Sequence, residues 1–557
     1  MKNYFYHSAR HICLLFIFLT SVTLYSFAQG FSPETQTKLQ KVIKGFQNNP
    51  DSPFIGGISA AIKVDGLALW QGATGYAARN IDEQNNLLPG GTPFTTDALS
   101  RIYSVTKTFT AALVLELVKE GRFSLQEPVS KYIPLINVVN PNINSSVTIR
   151  QLLAHESGYS DYTDEVALQI AVAFNPTHIW TPYEMVSFVH QIAQPGTERR
   201  YSSTNYVLLG AIIEAATGKP VEQHYRERFF DPLHLGSMYL GGRESLGNRG
   251  MLASPHDNIS AFNPIFQLTG QPTFPDAYTN ISRFPMNAIV SLAFTGGGIV
   301  SNAADLAEWG NALFGGRVTS QSTLDAMLNS ISPTPDEDGD RLGYGIFVTT
   351  RISETDYFVG HDGRAPGYRS VMFYQPDRKM TIVVLTNFYG ADPYAIAKAL
   401  YEALPNFLCG NQNKKEDKIE VCFQGKNVCI DRSAAPDLMR KGAYLGGCNQ
   451  TVSQAGSNTI TNVQTKGQGQ LQDKLTAFPN PFTNRVTLSF SVIKPGPTAL
   501  RIYDMNGKLV STVFSGVAEK SKLHEVNFEA GNLPAGVYIS RLQTAMGVSQ
   551  QKLILRR

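Results

Sequence analysis

Apolar and polar positions near the start of the chain follow the short period of β-strands. Residues 57–64 and 67–71 are two mostly apolar runs, and Asp65-Gly66 separates them. An Asp-Gly pair between such runs predicts a hairpin with a type I′ turn. Apolar runs at 370–374 and 381–386 predict strands that return after a long helical region. The pattern predicts an α/β (α+β) fold, in which helices and a helical subdomain flank one antiparallel sheet assembled from distant pieces.

Two segments between these strands have the apolar content of buried helices. Residues 105–120 are rich in Leu, Val, Ala and Phe, and Gly121 follows them as a stop signal. A second helix is predicted from about Asn205 to Thr217, with Gly218 and Pro220 behind it. Gly and Pro directly after an apolar periodic run mark the end of a helix.

The C-terminal part of the chain has a different pattern. Residues 473–557 contain short alternating runs separated by turn signals such as Asn506-Gly507, without a helical pattern. This arrangement predicts a small β-sandwich. Residues 449–472 contain no aromatic residue and one charge, which predicts a flexible linker. We therefore divide the chain into a large domain at 29–405, a Cys-rich module at 406–448, this linker, and the sandwich.

The first 28 residues have the pattern of a signal peptide. Lys2 and Arg10 supply positive charge, residues 12–24 are mostly apolar, and small residues at 26 and 28 favour cleavage before Gln29. A membrane helix is the alternative, but the apolar run is short for one. The mature protein is thus predicted to leave the cytoplasm without a transmembrane span.

Cysteine use agrees with export. Apart from Cys13, the cysteines lie in one window of the Cys-rich module, at Cys409, Cys422, Cys429 and Cys448. An even cluster in an exported chain favours two disulfides, and the residues leave three pairings open. A zinc site is the alternative, but the window lacks C-x-x-C pairs and His.

Composition narrows the possible functions. The 557 residues carry a formal charge of +3, and 43% of them are hydrophobic. A nearly neutral chain without a basic run gives no sign of nucleic-acid binding. We find no G-x-S-x-G, H-E-x-x-H or G-x-x-x-x-G-K motif, and the ten histidines are scattered, so we predict neither a catalytic metal nor a cofactor.

The first candidate for chemistry is Ser104-Val-Thr-Lys107, at the start of the predicted helix 105–120. Positions i and i+3 share one face of a helix, so the Lys107 amine can reach the Ser104 hydroxyl. Unpaired N–H groups at a helix start can stabilise an oxyanion, and a buried lysine loses proton affinity. A second S-x-x-K, at Ser491, lies in an alternating strand where i and i+3 face opposite ways.

Two further elements strengthen this candidate. Tyr201 lies in a short loop after Pro195-Gly196 and just before the helix at 205–217. Near ammonium groups, a tyrosine can lose proton affinity and act as a base or proton shuttle. The second element is Gly360-His361-Asp362-Gly363-Arg364, directly before the late strands, where the glycines allow close backbone approach to a ligand.

Together, in this order, the three elements resemble the serine β-lactamase-like family of class C β-lactamases, D-alanyl-D-alanine carboxypeptidases, D-aminopeptidases and esterases. The resemblance implies that Ser104 is an acylated nucleophile activated by Lys107 and Tyr201. It also implies an oxyanion hole from the backbone N–H groups of Ser104 and Arg364. A further landmark, residues 152–158, contains His155, which we interpret as structural.

The resemblance implies that the residues that bind substrate in this chain are Ser203, Asn205, His361, Asp362 and Gly363. Two of these depart from the usual pattern. Ser203 stands where the family has Asn, so Ser203 itself or Asn205 must take over its role. Asp362 stands where β-lactamases have a Thr that binds the substrate carboxylate. A negative charge would repel that group, unless Arg364 or Arg369 offsets it, so we hypothesise neutral or amine-bearing substrates. His361 stands where many members have Lys, although esterase and peptidase members often have His.

The last domain resembles the C-terminal sorting domain of type IX secretion substrates, through Phe478-Pro-Asn-Pro-Phe482, Leu533-Pro-Ala-Gly-Val-Tyr538 and Lys552-Leu-Ile-Leu555. This resemblance implies transfer by the type IX machinery and a secreted or cell-surface location. We therefore predict a secreted serine hydrolase that acts on a small peptide, amide or ester through an acyl-enzyme. The alternative is a catalytically degenerate surface binder of peptide or cell-wall fragments.

Overall fold

A computed structural model describes residues 30–49, 54–336, 338–410 and 416–448, and in the C-terminal part residues 474–478, 482–492, 495–504, 508–519, 522, 524–531, 533–544 and 547–556. The chain divides into two compact units, Met1–Thr451 and Val452–Arg557. The predicted signal peptide, the predicted linker and the Asn506-Gly507 turn lie outside the described residues.

An eight-stranded antiparallel sheet forms the centre of the first unit. Its strands are β1 (Gly57–Val64), β2 (Ala68–Ile81), β3 (Leu87–Pro93), β9 (Arg341–Leu342), β10 (Phe347–Thr349), β11 (Phe358–Ala365), β12 (Tyr368–Gln375) and β13 (Met380–Thr386). They are paired in the order β3-β2-β1-β13-β12-β11-β10-β9. Short strands outside this sheet are β4 (Ser100–Arg101), β5 (Tyr239–Leu240), β6 (His256–Asp257), β7 (Thr279–Asn280) and β8 (Ile299–Ser301). Strand β1 pairs with β13 through Ala60 and Val384, which confirms the sheet predicted from distant pieces.

The first hairpin differs from the prediction in its turn. Gly66 has a φ of 66°, and Leu67 N–H donates to Val64 O at 3.0 Å. A type I′ turn would also need a positive φ at Asp65, and Asp65 is not among the positive-φ residues. The predicted type I′ turn is therefore wrong: only the second central residue is left-handed, as in a type II turn.

Both predicted helices are present. Thr106–Lys119 forms α2, and Ser203–Thr217 forms α8, which ends at Gly218 with a φ of 66°. The other helices of this unit are α1 (Pro33–Gln47), α3 (Val129–Tyr132), α4 (Ile136–Val139), α5 (Ile149–Leu153), α6 (Val166–Phe174), α7 (Pro182–Val186), α9 (Val221–Tyr225), α10 (Asn263–Thr269), α11 (Asn287–Gly297), α12 (Ala303–Phe314), α13 (Gln321–Asn329), α14 (Pro393–Ala403) and α15 (Ala435–Arg440). In the described part of the chain, none of the helices has both the length and the apolarity that a membrane crossing requires.

Alternate residues of the sheet face two different apolar cores. Met372 and Val383 belong to a large core built with the helices that follow β3, among them α2 and α8. Their neighbours Val371 and Val384 belong to a second core with α1 and α14. This alternation is the period of a strand covered on both faces. Strand β11 of this sheet lies beside the start of α2.

The cysteine-containing segment packs on the second core. It contains β14 (Leu408–Cys409), β15 (Lys418–Phe423), β16 (Lys426–Asp431) and β17 (Tyr444–Leu445). Ile419, Val421 and Leu445 are buried in that core, and Leu445 N–H donates to Gly30 O at 2.7 Å. Cys409 is joined to Cys429 and Cys422 to Cys448, which selects one of the three possible pairings.

The second unit has two antiparallel sheets around an apolar cluster that includes Val486, Leu500 and Leu553. One sheet contains β18 (Lys474–Phe478), β19 (Arg485–Ser491) and β22 (His524–Glu529). The other contains β20 (Gly496–Asp504), β21 (Leu509–Ala518), β23 (Gly536–Thr544) and β24 (Gly547–Leu555). Two sheets sharing one core form a β-sandwich, as predicted.

Candidate active site

Ser104 lies in a 3-10 turn, Tyr103–Val105, that runs directly into α2. Short strand β4 ends at Arg101, and Ile102 N–H donates to Ile299 O at 3.1 Å, which fixes where the turn begins. Tyr103, the residue before the serine, has a φ of 43°. A left-handed non-glycine residue is uncommon, and such strain occurs preferentially at functional sites. The turn thus presents Ser104 just ahead of a helix start.

Lys107 is completely buried on the first turn of α2 and points at three oxygens. Its Nζ donates to Ser104 Oγ at 2.9 Å, to Gly296 O at 2.7 Å and to Ser203 Oγ at 3.5 Å. Burial lowers the pKa of Lys107 to about 7, although Asp161 and Asp362 act in the opposite direction. A lysine with this pKa is partly neutral at physiological pH, as a base for a serine hydroxyl must be.

Tyr201 meets the same hydroxyl from the loop before α8. Its phenol interacts with the Ser104 side chain, which lowers the pKa of the phenol, and its ring lies 5.0 Å from Lys107 Nζ. The expectation that Tyr201 loses proton affinity is wrong. Burial raises the pKa of its phenol well above the usual value, and the carboxylates Asp161 and Asp362 raise it further. Tyr201 is therefore a neutral hydroxyl that can receive one proton while it passes on another.

His155 forms the surface against which Tyr201 rests. The two rings stack with centroids 4.6 Å apart. His155 Nδ1 accepts the Ser202 N–H at 3.1 Å, and burial holds the pKa of His155 well below its usual value. A neutral ring avoids a second positive charge next to Lys107. The sequence indicates a structural residue here, and the stack shows what His155 supports.

Ser203 and Asn205 have different surroundings. Ser203 Oγ faces Lys107, while the Ser203 N–H donates to Asp161 Oδ2 at 2.8 Å. Asn205 is buried with its Oδ1 accepting from Ser157 Oγ at 2.6 Å and its Nδ2 at 3.4 Å from His155 Nδ1. Of the two residues considered as a replacement for the family Asn, Ser203 is therefore the one that contacts Lys107.

Strand β11 brings the His-Asp-Gly segment to the Ser104 turn. Strand β10 pairs with it only as far as Gly360, so His361 begins a stretch whose outer edge lies beside Tyr103–Val105. A Cβ on Gly363 would lie 2.2 Å from Ile102 O and 2.5 Å from Ser370 Oγ. The absence of a side chain at 363 thus lets β11 approach the turn that carries Ser104.

His361 is almost completely buried, at 1% exposure. Its Nδ1 lies 2.6 Å from Asp362 O and its ring stacks on Phe347 at 4.1 Å. Burial, together with the charge of Lys107, lowers the pKa of His361 to about 3. Its Nε2 is buried without a hydrogen-bond partner among the described residues. Because a carbonyl oxygen only accepts, Nδ1 carries the proton and Nε2 is a free acceptor.

Asp362 retains 30% side-chain exposure. Burial of the remainder raises the pKa of its carboxyl, whereas Arg351, Arg369 and Arg364 lower it. Arg364 and Arg369 were expected to offset the charge of Asp362. Arg351 was not expected. It lies in the connection between β10 and β11, donates to Asp340 Oδ2 at 3.3 Å, and acts on Asp362 through its charge alone.

Asp161, Phe347 and Gly296 are also absent from the sequence-based site. Asp161 caps α8 through the Ser203 N–H, Phe347 stacks on His361, and Gly296 O binds the Lys107 amine. The Gly296 carbonyl lies close to a break in α11, where Phe294 has a φ of 32°. Asp161 lies 42 residues before the helix that it caps, so the sequence gives no signal for this contact, and a backbone carbonyl has none either. Within the described residues, no group of three or more His, Cys, Asp or Glu is placed to hold a metal ion.

Two family models match the chain. Residues 43–406 match the model described as Beta-lactamase. Residues 476–556 match the secretion system C-terminal sorting domain. The first match contains every residue of the site described above, and the second coincides with the β-sandwich.

Among curated proteins, the chain is similar to Protein flp of Staphylococcus aureus (strain N315), with 26% identity over 356 residues. That alignment covers 63% of this chain and 64% of the relative, so the chain spans somewhat less than two thirds of the relative's length.

Among solved structures, the chain is similar to D-amino acid amidase from Ochrobactrum anthropi SV3 complexed with L-phenylalanine amide, with 25% identity and a TM-score of 0.53. The match covers 66% of this chain and 98% of the amidase. A D-stereospecific amidohydrolase from Streptomyces is similar with 26% identity and a TM-score of 0.51, over 65% of this chain and 96% of that one.

Proposed function

Because the match over residues 43–406 covers more than half of the chain, this protein belongs to the Beta-lactamase family of hydrolases, and we propose that it is a secreted serine hydrolase that cleaves an amide or ester through an acyl-enzyme. The observation that carries the proposal is the convergence of two groups on one hydroxyl. Lys107 Nζ lies 2.9 Å from Ser104 Oγ, and the Tyr201 phenol interacts with the side chain of the same serine.

The reaction begins with proton transfer from Ser104. Lys107, with a pKa of about 7, is partly neutral near pH 7 and takes the proton of the Ser104 hydroxyl. Ser104 Oγ then forms a bond to the carbonyl carbon, and the carbonyl electron pair moves to oxygen. The backbone N–H groups of Ser104 and Arg364 hold this oxyanion. Each well-placed donor of this kind contributes about 3–4 kcal/mol to the transition state.

Collapse of the tetrahedral intermediate requires a proton donor for the leaving group. Tyr201 gives its proton to the leaving nitrogen or oxygen as the bond to carbon breaks, and it regains a proton from the Lys107 ammonium. Its raised pKa suits this relay, since the phenol stays protonated except during transfer. The product of this half-reaction is an ester between the substrate acyl group and Ser104.

Hydrolysis of the ester returns the site to its starting state. Water adds to the acyl carbon while Tyr201 and the again neutral Lys107 take its proton. The same N–H groups hold the second oxyanion. The bond to Ser104 Oγ then breaks, and Ser104 regains a proton from the pair. Ser203 Oγ, at 3.5 Å, helps to orient the amine throughout.

The substrates we propose are D-amino acid amides and related small amides, peptides and esters. The similar solved structures include a D-amino acid amidase and a D-stereospecific amidohydrolase, which supports this class. Asp362 supports the exclusion of carboxylates close to the scissile bond, because its charge would repel them. We further propose export by the type IX machinery, after removal of residues 1–28, to the cell surface or medium, since the tail matches a sorting domain.

A substrate panel tests this proposal. We expect wild-type protein to turn over D-phenylalanine amide and p-nitrophenyl butyrate faster than nitrocefin or a D-Ala-D-Ala peptide. Ser104→Ala should abolish all turnover, and Asp362→Thr should increase the relative rate on the two carboxylate-bearing substrates about ten-fold or more. Faster wild-type turnover of the carboxylate-bearing pair would contradict the proposed specificity. Failure to process any of the four would favour a degenerate binder.

A further inference from the structure

We propose that Asp257 is a positioning residue for the oxyanion hole: its ionised carboxylate holds the turn between β11 and β12, and that turn sets the place of the Arg364 N–H. The inference rests on the proposed acyl-enzyme function and adds a residue that the mechanism above does not use. Asp257 lies on β6, 110 residues before the turn that it contacts, and only 6% of it is exposed.

The turn between β11 and β12 has little support from within its own hairpin. Ala365 pairs with Tyr368, so Pro366 and Gly367 form the turn. Proline requires a negative φ and Gly367 has a φ of 80°, which together correspond to a type II turn. Two-residue hairpins favour types I′ and II′, because the twist of those turns matches that of the strands, whereas a type II turn splays the strands. Contacts from outside must therefore hold this hairpin.

The outside contacts come from the segment that contains β6. Gly367 N–H donates to Asp257 Oδ2 at 2.8 Å, and the Tyr368 hydroxyl donates to Ala253 O at 2.5 Å. A Cβ at Gly367 would lie 2.1 Å from Pro255 Cβ, so the turn lies directly against this segment. Strand β6 is itself fixed by its pairing with β7. Asp257 thus provides a fixed point for the turn.

Arg364 connects this turn to the reaction. It lies on β11, two residues before Pro366, and β11 lies beside the turn that carries Ser104. The two N–H groups proposed for the oxyanion hole therefore belong to different elements, and Asp257 holds one of these elements. If the turn moves, the Arg364 N–H moves relative to the Ser104 N–H. Loss of one such donor costs about 10²- to 10³-fold in turnover, and a shift of the donor costs part of that.

Both oxygens of Asp257 act as acceptors. Oδ2 accepts the Gly367 N–H, and Oδ1 accepts the Asn258 N–H at 2.7 Å. A protonated carboxyl or an amide replaces one acceptor with a donor, so it cannot serve both N–H groups. Burial raises the pKa of Asp257 to about 6, although these two hydrogen bonds lower it. The carboxylate therefore holds the turn in weakly alkaline solution and releases it as the pH falls through about 6.

The ionisable neighbours of Asp257 titrate outside this range. On the elements around it, these side chains are Tyr103, Tyr278, His256, Arg79, Arg101 and Arg369. Burial raises the pKa of both phenols, and the charge of Asp257 adds to this effect. Burial lowers the pKa of His256 to about 4. Arginine stays charged throughout. A titration near pH 6 at this place therefore belongs to Asp257.

The ratio of wild-type to Asp257→Asn kcat/KM tests the inference, because the contribution of Lys107 cancels in this ratio. The substrate is p-nitrophenyl butyrate, which has no group that titrates in the same range. We expect a ratio of about 10 at pH 8 that falls to about 2 at pH 5, with a midpoint at the Asp257 pKa of about 6. At low pH both proteins carry an uncharged side chain at 257, so their rates converge.

Asp392→Asn is the matched control. Asp392 Oδ1 also accepts two backbone N–H groups, from Tyr394 at 3.0 Å and from Ala395 at 3.2 Å, at the start of α14. The same substitution there should lower the melting temperature but leave kcat/KM unchanged at every pH.

A ratio that is constant with pH, or wild-type activity in Asp257→Asn, would overturn the inference, and so would an equal loss in Asp392→Asn. If Asp257→Asn does not fold, wild type alone decides: below pH 6 its kcat/KM should fall more steeply than about tenfold per pH unit, which is the limit for Lys107 alone. Wild-type protein that neither cleaves the ester nor is labelled at Ser104 by a fluorophosphonate would contradict the proposed function instead.

Discussion

Burial favours the uncharged form of both groups that contact Ser104. The pKa of Lys107 falls to about 7, and the pKa of Tyr201 rises well above its usual value. The two residues therefore differ in role rather than in charge. Lys107 gains and loses a proton near neutral pH, whereas Tyr201 stays protonated and relays. Burial of the polar groups of this site costs stability, as is common where function requires strained or desolvated residues.

The first prediction concerns the pH dependence of turnover. Lys107 acts as a base only when deprotonated, so kcat/KM for D-phenylalanine amide should rise with pH through an apparent pKa of about 7 and then level off. Lys107→Met should reduce kcat/KM by several orders of magnitude, because nucleophile and base act as a unit. Steady-state rates between pH 5 and pH 9 check both. If wild-type kcat/KM does not rise with pH in this range, Lys107 is not the base.

Unfolding experiments on the same variant give a control that does not depend on activity. Between pH 7 and the unfolded lysine value of about 10.4, the unfolded chain binds a proton that folded Lys107 lacks. The free energy of unfolding of wild type, relative to Lys107→Met, should therefore increase with pH by up to about 1.4 kcal/mol per unit. Urea unfolding of both proteins at pH 7, 8 and 9 measures this difference in the free energy of unfolding. A difference that is constant or falls with pH would contradict a lowered pKa.

At the scale of residues, the sequence predicts which side chains lie close together better than it predicts their protonation states. Ser104 and Lys107 share one helical turn, which their spacing of three residues specifies. The predicted direction of the Tyr201 pKa shift is wrong because a sequence shows charged neighbours but not how deeply the phenol is buried. Arg351 and the carbonyl of Gly296 belong to the site through the path of the chain alone.

At the scale of elements, the site depends on how closely β11 lies against the turn before α2. Gly363 makes this approach possible, since a Cβ there would meet Ile102 O at 2.2 Å. The sequence predicts helix α2, but it places Gly360–Arg364 ahead of the late strands and not in a strand of their own, and it does not give the distance between the two elements. It places helix α8 two residues late, at Asn205, because Ser203-Thr204 has no apolar signal. The cap that starts the helix comes from the distant Asp161.

The second prediction is that Gly363→Ala separates these elements. We expect kcat/KM to fall by about 10²-fold, because a shift near 1 Å misplaces the reacting groups. Gly45→Ala is the matched control. A Cβ at Gly45, at an exposed position of helix α1, meets nothing within 4 Å, so activity should be unchanged and stability should increase by about 0.5–1 kcal/mol. Kinetics and thermal unfolding of both variants check this. Full activity of Gly363→Ala would show that the spacing is not needed.

At the scale of the whole molecule, the cysteine-containing segment belongs to the same compact unit as the domain that matches the Beta-lactamase model. The cysteine-containing segment contributes Ile419, Val421 and Leu445 to the core shared by α1 and α14. Composition predicts a cluster of paired cysteines, but the packing and the pairing depend on long-range contacts such as that of Leu445 with Gly30.

The third prediction concerns truncation. A chain that ends at Thr451 keeps the complete first unit and should retain the amide turnover of the full chain. A chain that ends at Pro405 loses the buried side chains of Phe407, Ile419, Val421, Met439 and Leu445 from the core, each worth about 1.5–3 kcal/mol, and should unfold at a clearly lower temperature. Differential scanning calorimetry under oxidising conditions compares the two. Equal melting temperatures would mean that the segment adds no stability to the hydrolase unit.

The most direct test of the central claim is to identify the residue that becomes acylated. Protein mixed with D-phenylalanine methyl ester and quenched in acid during turnover is digested and analysed by mass spectrometry. Our account predicts that the D-phenylalanyl group is found on the peptide that contains Ser104, and that it is absent in Ser104→Ala. Turnover without an adduct on that peptide, or with the adduct on another residue, would contradict the account.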